Sequence, residues 1–382
     1  MVEPTAGALL THFAALEDPR VERTRLHPLA NVLTIAICAV ICGAQSWDDI
    51  AAFGEAKADW FASFLDLSNG VPSHDTFNRV FAALDPAQFQ AGFVSWVQAV
   101  AATLPTQVIA VDGKTVRRSH DRHAGTAAIH LVSAWATANR LVLAQTKVAD
   151  KANEIVAIPD LLRALSVTGC LVTLDAIGCQ RAIAQHIRDQ GGDYILALKD
   201  NQPTLSADVQ ECFAQARRTG FADVTHDADT DVDKGHGRLE IRRRWVITDP
   251  DHLAWLQAAH RWPGLEAIGM VQMVQTERRL AATTTMGTRY YLLSRPLTAR
   301  ELGEAVRSHW GIENQVHWVL DVAFGEDQSR IRRGAAAENT ALLRRIALNV
   351  IRQHPRKRHS IRTRRLIASW DDAYLLQLLQ GV

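Results

Sequence analysis

Two apolar runs in the sequence stop on an aspartate. In "VIAVDGKT", Val108 to Val111 lead into Asp112, and in "LVTLDAIG", Leu171 to Leu174 lead into Asp175. A carboxylate at the tip of a buried strand can hold a hard metal ion, and two at neighbouring tips repel each other unless a cation lies between them. Taken alone, Asp112-Gly113 is also the commonest short hairpin turn, and Gly113-Lys114-Thr115 matches the tail of a phosphate-binding loop. That loop needs a glycine five residues before Gly113, and the position holds Val108. A phosphatase working through aspartyl phosphate needs a second acid two residues after the first, where Lys114 stands.

A third carboxylate is expected from "RSHWGIENQVHWVLD", a helical stretch with His309, Glu313, His317 and Asp321 at four-residue spacing. Ile312, Val316 and Val319 form an apolar stripe beside them, so a helix packed by that stripe directs Glu313 towards a sheet. Zinc is disfavoured, because zinc helices of metalloproteases place their histidines four apart and here they are eight apart. Three carboxylates suit two Mg²⁺ ions, with Mn²⁺ as a substitute, and the chemistry of such a site is phosphoryl transfer.

The elements that must position these acids follow from periodicity. "VIAVD", "AIHLVSAWAT" and "RLVLAQTKV" are strands; "EIVAIPDLLRAL", "CLVTLD", a helix from about Cys179 to Gln190, and "DYILALK" follow. The order β-β-β-α-β-α-β predicts an α/β fold with a ribonuclease H-like mixed sheet spanning 104–200, in which the Asp112 and Asp175 strands are parallel neighbours. Residues 1–103 predict an all-helical domain, with "LANVLTIAICAVICGA" as a buried helix and Ser73 as a helix cap. Residues 201–296 predict a β-rich insertion, with "THDADTDVDKGHG" as a loop. Thr298 and Glu301 form a capping box that opens a helix from about Ala299 to Ala323, stopped by Gly325, within a closing segment 297–334. Residues 335–382 predict a basic helical C-terminal region: a helix from about Thr340 to Gln353, a helical basic tail and the stretch "SWDDAYLLQLL".

Composition is that of a folded globular chain: of 382 residues, 47% are hydrophobic and 22% charged, with a net charge of +1. The charge is uneven. Between Arg330 and Arg365 stand twelve Lys or Arg and one acid, Glu338, which predicts a polyanionic partner. Five cysteines without CxxC spacing or a preceding signal peptide suit a reducing cytoplasm, and the apolar stretch at Cys38 and Cys42, about 16 residues, is too short to span a membrane.

"AVDGKTVRRS", "TLDAIGCQ", "LALKDNQ" and "RSHWGIENQVHWVLDVAFGED" together resemble the DDE transposases of bacterial insertion sequences, most closely the H-repeat-associated group. "DPRVERTRLHPLANVLTIAICAVICGAQSWDDI" resembles that group's N-terminal helical domain, so the likeness covers nearly the whole chain. The resemblance implies Asp112, Asp175 and Glu313 as the catalytic, metal-holding acids, and double-stranded DNA as partner: the element's terminal inverted repeats and the target. It implies cleavage at the repeat ends followed by strand transfer, in the nucleoid, by a homodimer assembled on DNA. Many relatives carry Tyr, Arg and Lys around the glutamate; here His309 takes the arginine position and Leu320 and Asp321 lie near the lysine position, leaving Arg307 and His317 to replace those contacts. Further phosphate contacts are expected from Lys114, Arg117, Arg118 and Lys199, and from Arg330, Arg332, Arg333, Arg356, Lys357 and Arg358. Two other expectations compete: a nuclease that cuts without joining, and a catalytically dead protein that binds repeats.

Overall fold

A computed structural model of the chain describes residues 8–101, 108–120, 127–148, 154–235, 238–277, 283–355 and 358–380. In chain order the helices and strands are α1 (Ala8–Thr11), α2 (Leu29–Cys42), α3 (Trp47–Ala56), α4 (Ala58–Ala62), α5 (His74–Ala83), α6 (Pro86–Ala101), β1 (Val108–Thr115), β2 (His130–Ala136) and β3 (Leu141–Val148). There follow α7 (Glu154–Arg163), β4 (Leu171–Leu174), α8 (Arg181–Asp189), β5 (Asp193–Leu198), α9 (Pro203–Arg218), β6 (His226–Gly235), β7 (Arg238–Ile247), α10 (Pro250–His260), β8 (Ala267–Glu277) and β9 (Thr283–Leu293). The chain ends with α11 (Ala299–Ile312), a π-helical turn (Glu313–His317), α12 (Trp318–Phe324), α13 (Ala336–Gln353), α14 (Ile361–Trp370) and α15 (Asp372–Gln380). The described strands form a mixed sheet in the order β3-β2-β1-β4-β5-β9-β8-β7-β6.

The chain divides into two compact units, Met1–Pro105 with Gly113–Asn153 and Glu313–Val382, and Thr106–Asp112 with Glu154–Ile312. In the first, α2 is buried along Asn31–Ile41. Its polar members are satisfied internally: Asn31 donates to the Asp66 carbonyl at 2.7 Å and Thr34 to the Ala30 carbonyl at 2.7 Å. Among the described residues no single helix is long and apolar enough to cross a membrane. Ser46 caps α3 through a capping box with Asp49, and Ser73 caps α5. Helix α13 is buried over almost its whole length, and its asparagines bond to backbone. Asn349 takes both backbone bonds of Val142 on β3 (2.9 and 2.8 Å), while Asn339 donates to the carbonyls of Phe81 and Leu84 at 2.9 Å.

In the second unit β1, β4 and β5 run parallel. Strand β9 joins β5 antiparallel, and β8, β7 and β6 continue outwards, so the insertion extends the same sheet. Helix α11 covers this region through Leu302, Ala305 and Val306, which pack with Leu171, Ile195, Val246, Tyr291 and Leu293. Two glycines allow the approach: a Cβ at Gly303 would meet the Arg244 side chain, and one at Gly269 would meet Leu302.

Three expectations need correction. "THDADTDVDKGHG" contains strand β6, paired with β7 from His226↔Ile247 to Gly235↔Arg238. Aspartate disfavours strands, but Asp229 and Asp231 pair with Arg244, Asp231 also with Arg307, and Asp227 accepts from the Ala299 backbone N–H at 2.7 Å. The helix opening at Thr298 has its capping box and stops at Gly325 (φ 63°), but the π-helical turn interrupts it. The basic C-terminal region is helical as expected, with α14 in it, but α13 starts four residues before Thr340, at Ala336.

Candidate active site

In the second unit, β1 and β4 pair in register from Val108↔Leu171 to Val111↔Leu174. Asp112 and Asp175 each follow the last residue of that ladder, so they stand at adjacent parallel strand ends, both partly exposed. Asp175 Oδ1 accepts backbone N–H bonds from Ile177 (3.0 Å) and Gly178 (3.3 Å), a turn that fixes the carboxylate at the strand tip. His309 on α11 bonds through Nδ1 to Thr173 Oγ1, two residues before Asp175, at 3.0 Å. Burial lowers the His309 pKa, opposed by the Asp175 charge and the Thr173 bond, so the ring is neutral at pH 7. Helix α11, which ends at Ile312, is thereby anchored on β4.

Two oxygen donors at neighbouring strand ends suit a divalent cation, since Mg²⁺ is usually bound by one or two carboxylates with water and substrate phosphate completing the shell. Among the described residues no group of three or more His, Cys, Asp or Glu is clustered tightly enough to form a metal cage. Glu313 is exposed and opens the π-helical turn, in the first unit. The expected shared face of His309, Glu313 and His317 is split. A π turn widens the four-residue repeat, and His317 faces inward while Glu313 stays outside.

The first unit holds a second group of acids that sequence reasoning did not assemble. Lys114 is buried and pairs with Asp321, with Glu326 Oε2 at 2.8 Å and with Asp327 at 3.6 Å. Glu326 is fully buried, and its Oε1 accepts from Arg345 Nη1 at 2.8 Å. Burial pushes the Glu326 carboxyl up, but Arg345, Lys114 and Arg344 together hold it down to about 2. At Asp321, burial outweighs Lys114 and the carboxyl is raised. His317 is pushed down to about 3 by burial, with Arg345 and Lys114 adding to the effect.

Several expected phosphate contacts are therefore corrected. The Lys114 ammonium is buried among carboxylates, and His317 is buried and neutral, so neither is presented to a partner. Arg307 is exposed but paired with Asp231 at 2.5 Å. Arg117 is 82% exposed with Asp327 at 3.3 Å, and Arg118 is exposed, its carbonyl accepting from Arg332 Nε at 3.1 Å. Lys199, Arg330, Arg333 and Arg358 are exposed and Arg332 is half-buried. Arg356 and Lys357 lie outside the described residues. Within the basic segment, Arg344, Arg345, Arg364 and Arg365 are buried, the last donating to the carbonyls of Ile41 (3.2 Å) and Val40 (2.8 Å). A count of twelve cations thus overstates the charge available to a polyanion.

The sequence reading also missed an arginine-lined cavity in the second unit, about 350 Å³, walled by Arg242, Arg244, Arg289 and Arg307 with Trp310 and Met273. Arg289 lies over the Trp310 ring at 4.5 Å, and Trp310 is 44% exposed. The alternation of Arg242 and Arg244 in "RLEIRRRWVIT" was the available signal, because residues two apart share a strand face.

Known families match these features. The family described as "Transposase DDE domain" matches residues 103–350, and "DDE_Tnp_1-associated" matches residues 10–97. The H repeat-associated protein YhhI of Escherichia coli is 38% identical over 377 residues, covering 98% of each chain. A protein encoded in the dhlA 3′ region of Xanthobacter autotrophicus is 44% identical over 286 residues, 71% of this chain and 92% of that one. The inactive transposase YbfQ of Escherichia coli is 42% identical over 72 residues, 19% of this chain and 86% of its own. Among solved structures, the piggyBac transposase synaptic complex with hairpin DNA aligns over 97% of this chain and 74% of its own, at 9% identity and a TM-score of 0.38, a likeness too slight to bear on the fold. With one family covering the strand-tip acids through α13 and a relative matching end to end, the chain belongs to the DDE transposase family, alongside the H repeat-associated proteins.

Proposed function

We propose that the chain is a metal-dependent DNA transposase with a ribonuclease H-like core, cutting at the inverted-repeat ends of its element and joining the freed 3′-OH to target DNA. The observation that carries this is the register placing Asp112 and Asp175 at adjacent parallel strand ends within the matched family region. Asp112, Asp175 and Glu313 would hold two Mg²⁺ ions, whose charge acidifies the attacking water and stabilises the leaving 3′ oxygen.

The chain's own residues supply position and shielding. The Ile177 and Gly178 N–H groups keep the Asp175 carboxylate oriented before DNA arrives. His309, neutral and tied to Thr173, fixes α11 on the sheet without adding a competing positive charge. No side-chain nucleophile is required, since water and then the 3′-OH attack phosphorus. Phosphates outside the reacting centre meet Arg117, Arg118, Lys199, Arg330 and Arg333, and the arginine-lined cavity beside Trp310 suits a phosphate and a base together. Two element ends must be joined in one event, so two copies of the chain act on DNA together.

The test is incubation of the full chain with Mg²⁺, target plasmid and labelled repeat ends. Strand-transfer product is expected; cleavage without joining supports a nuclease, and binding without cleavage a repeat-binding protein.

A further inference from the structure

The π-helical turn that begins at Glu313 is pinned from within the first unit. A π turn displaces the regular hydrogen-bond ladder and opens a main-chain carbonyl to an outside donor, and such turns are frequent at functional sites. Here the donor is Arg352, near the end of α13, whose Nη2 bonds to the Gln315 carbonyl. The same guanidinium lies 4.7 Å from the centre of the Trp135 ring on β2 and reaches the Arg140 carbonyl at 3.5 Å. One side chain therefore ties the π turn to the β2–β3 hairpin. Beyond the turn, Asp321 on α12 bonds to Lys114, which is itself held by Glu326 at 2.8 Å. Val316 and His317, inside the turn, are buried, whereas Glu313 is exposed. An exposed acid on an immobilised, irregular turn is the arrangement expected where the direction of a carboxylate matters more than its own packing.

We propose that Arg352 is a positioning residue for Glu313, and that the Lys114–Asp321 pair is the second pin of the same turn. This inference rests on the reading of Glu313 as the third acid. Freed of its pins, the turn relaxes towards a regular α-helix, and each residue then rotates through 100° rather than the smaller step of a π turn. The Glu313 carboxylate leaves its direction although the fold persists.

Full-length Arg352→Met, Asp321→Ala and Glu313→Gln are compared with wild type by thermal unfolding, repeat-end DNA affinity, end-cleavage rate in Mg²⁺, and the MnCl₂ concentration half-saturating a thermal-stability shift without DNA. Arg352→Met is expected to lower the cleavage rate by about 10- to 100-fold and raise the half-saturating MnCl₂ concentration, leaving DNA affinity within about twofold. Arg352→Lys, keeping the charge with a single donor group, recovers part of both. Asp321→Ala gives the same signature with a smaller amplitude. A folded Arg352→Met variant with wild-type cleavage and MnCl₂ response overturns the inference. Should that variant not fold, Asp321→Ala decides in the same way, because Asp321 is part-exposed and Lys114 keeps Glu326. If Glu313→Gln itself cleaves at the wild-type rate, the assignment of Glu313 has failed and the inference falls with it. If Glu313→Gln is inactive while both pin variants are fully active, only the positioning role is overturned.

Discussion

The chain carries two groups of acids that its own charges treat in opposite ways. Asp321, Glu326 and Asp327 surround a buried lysine, and Arg345 completes the neutralisation of Glu326 from inside the fold. Asp175, at a strand tip beside Asp112, meets backbone N–H groups and a histidine that burial keeps neutral. Carboxylates compensated by internal cations are structural, because desolvating them is tolerable only when every charge is paired. A carboxylate held at a strand tip by backbone dipoles, as Asp175 is, suits a cation that comes from outside the chain. Amino-acid type does not separate the two groups; their partners do.

Substitutions should separate these groups in kind. Asp112→Asn and Asp175→Asn are each expected to lower end cleavage by about 1,000-fold while leaving unfolding and DNA affinity near wild type; a gel-based cleavage assay checks this, and a cleaving variant removes the distinction. Glu326→Ala acts the other way: it removes the one carboxylate bound to buried Arg345 among the described residues and leaves Lys114 only its partly exposed partners Asp321 and Asp327, and is expected to cost about 3–5 kcal/mol in a urea titration.

Acid should act on the buried group first. The pKa of His317 is held near 3 against 6.5 in an open chain, so between those values the unfolded chain binds a proton that the fold excludes. Glu326 is held near 2 against 4.5, so the stability it contributes is present above 4.5 and lost as pH falls towards 2. Stability is therefore greatest above pH 6.5 and declines continuously below it, and His317→Asn should flatten the upper part of that decline in urea midpoints measured from pH 7.5 to 4.

The smallest effect concerns the basic segment. Arg330→Ala with Arg333→Ala should weaken DNA binding and reduce the slope of log affinity against log salt by about 2, without changing stability. Arg344→Ala should instead lower stability, since that side chain is buried. Equal salt slopes in the two variants would erase the contrast between exposed and buried cations.

Much of the fold was legible because hydrophobic period is local. The alternation along β1 to β5, the apolar run of α2 and the caps at Ser73 and Thr298 all needed only near neighbours in sequence. Strand β6 was not legible, because its aspartates become acceptable only opposite Arg244 and Arg307, 13 and 76 residues away. The π turn was hidden for a related reason: its pin, Arg352, comes from 37 residues further on. Lys114 and the arginines of α13 were misjudged as surface charge because a cation's partner cannot be counted from composition.

The sequence by itself determined which segments are strands and helices through most of the chain, that two strands end in aspartate, and the family to which the whole belongs. Tertiary structure alone decided which charges face inward, the exact register of the expected parallel pair β1 and β4, from Val108↔Leu171 to Val111↔Leu174, and that the helical stretch leading to Glu313 breaks its regular repeat there. The physical reason is range. Backbone propensity and hydrophobic period act over a few residues, whereas the cost of a buried charge depends on partners that the chain supplies from hundreds of residues away, as Glu326 does for Lys114 across 212 positions.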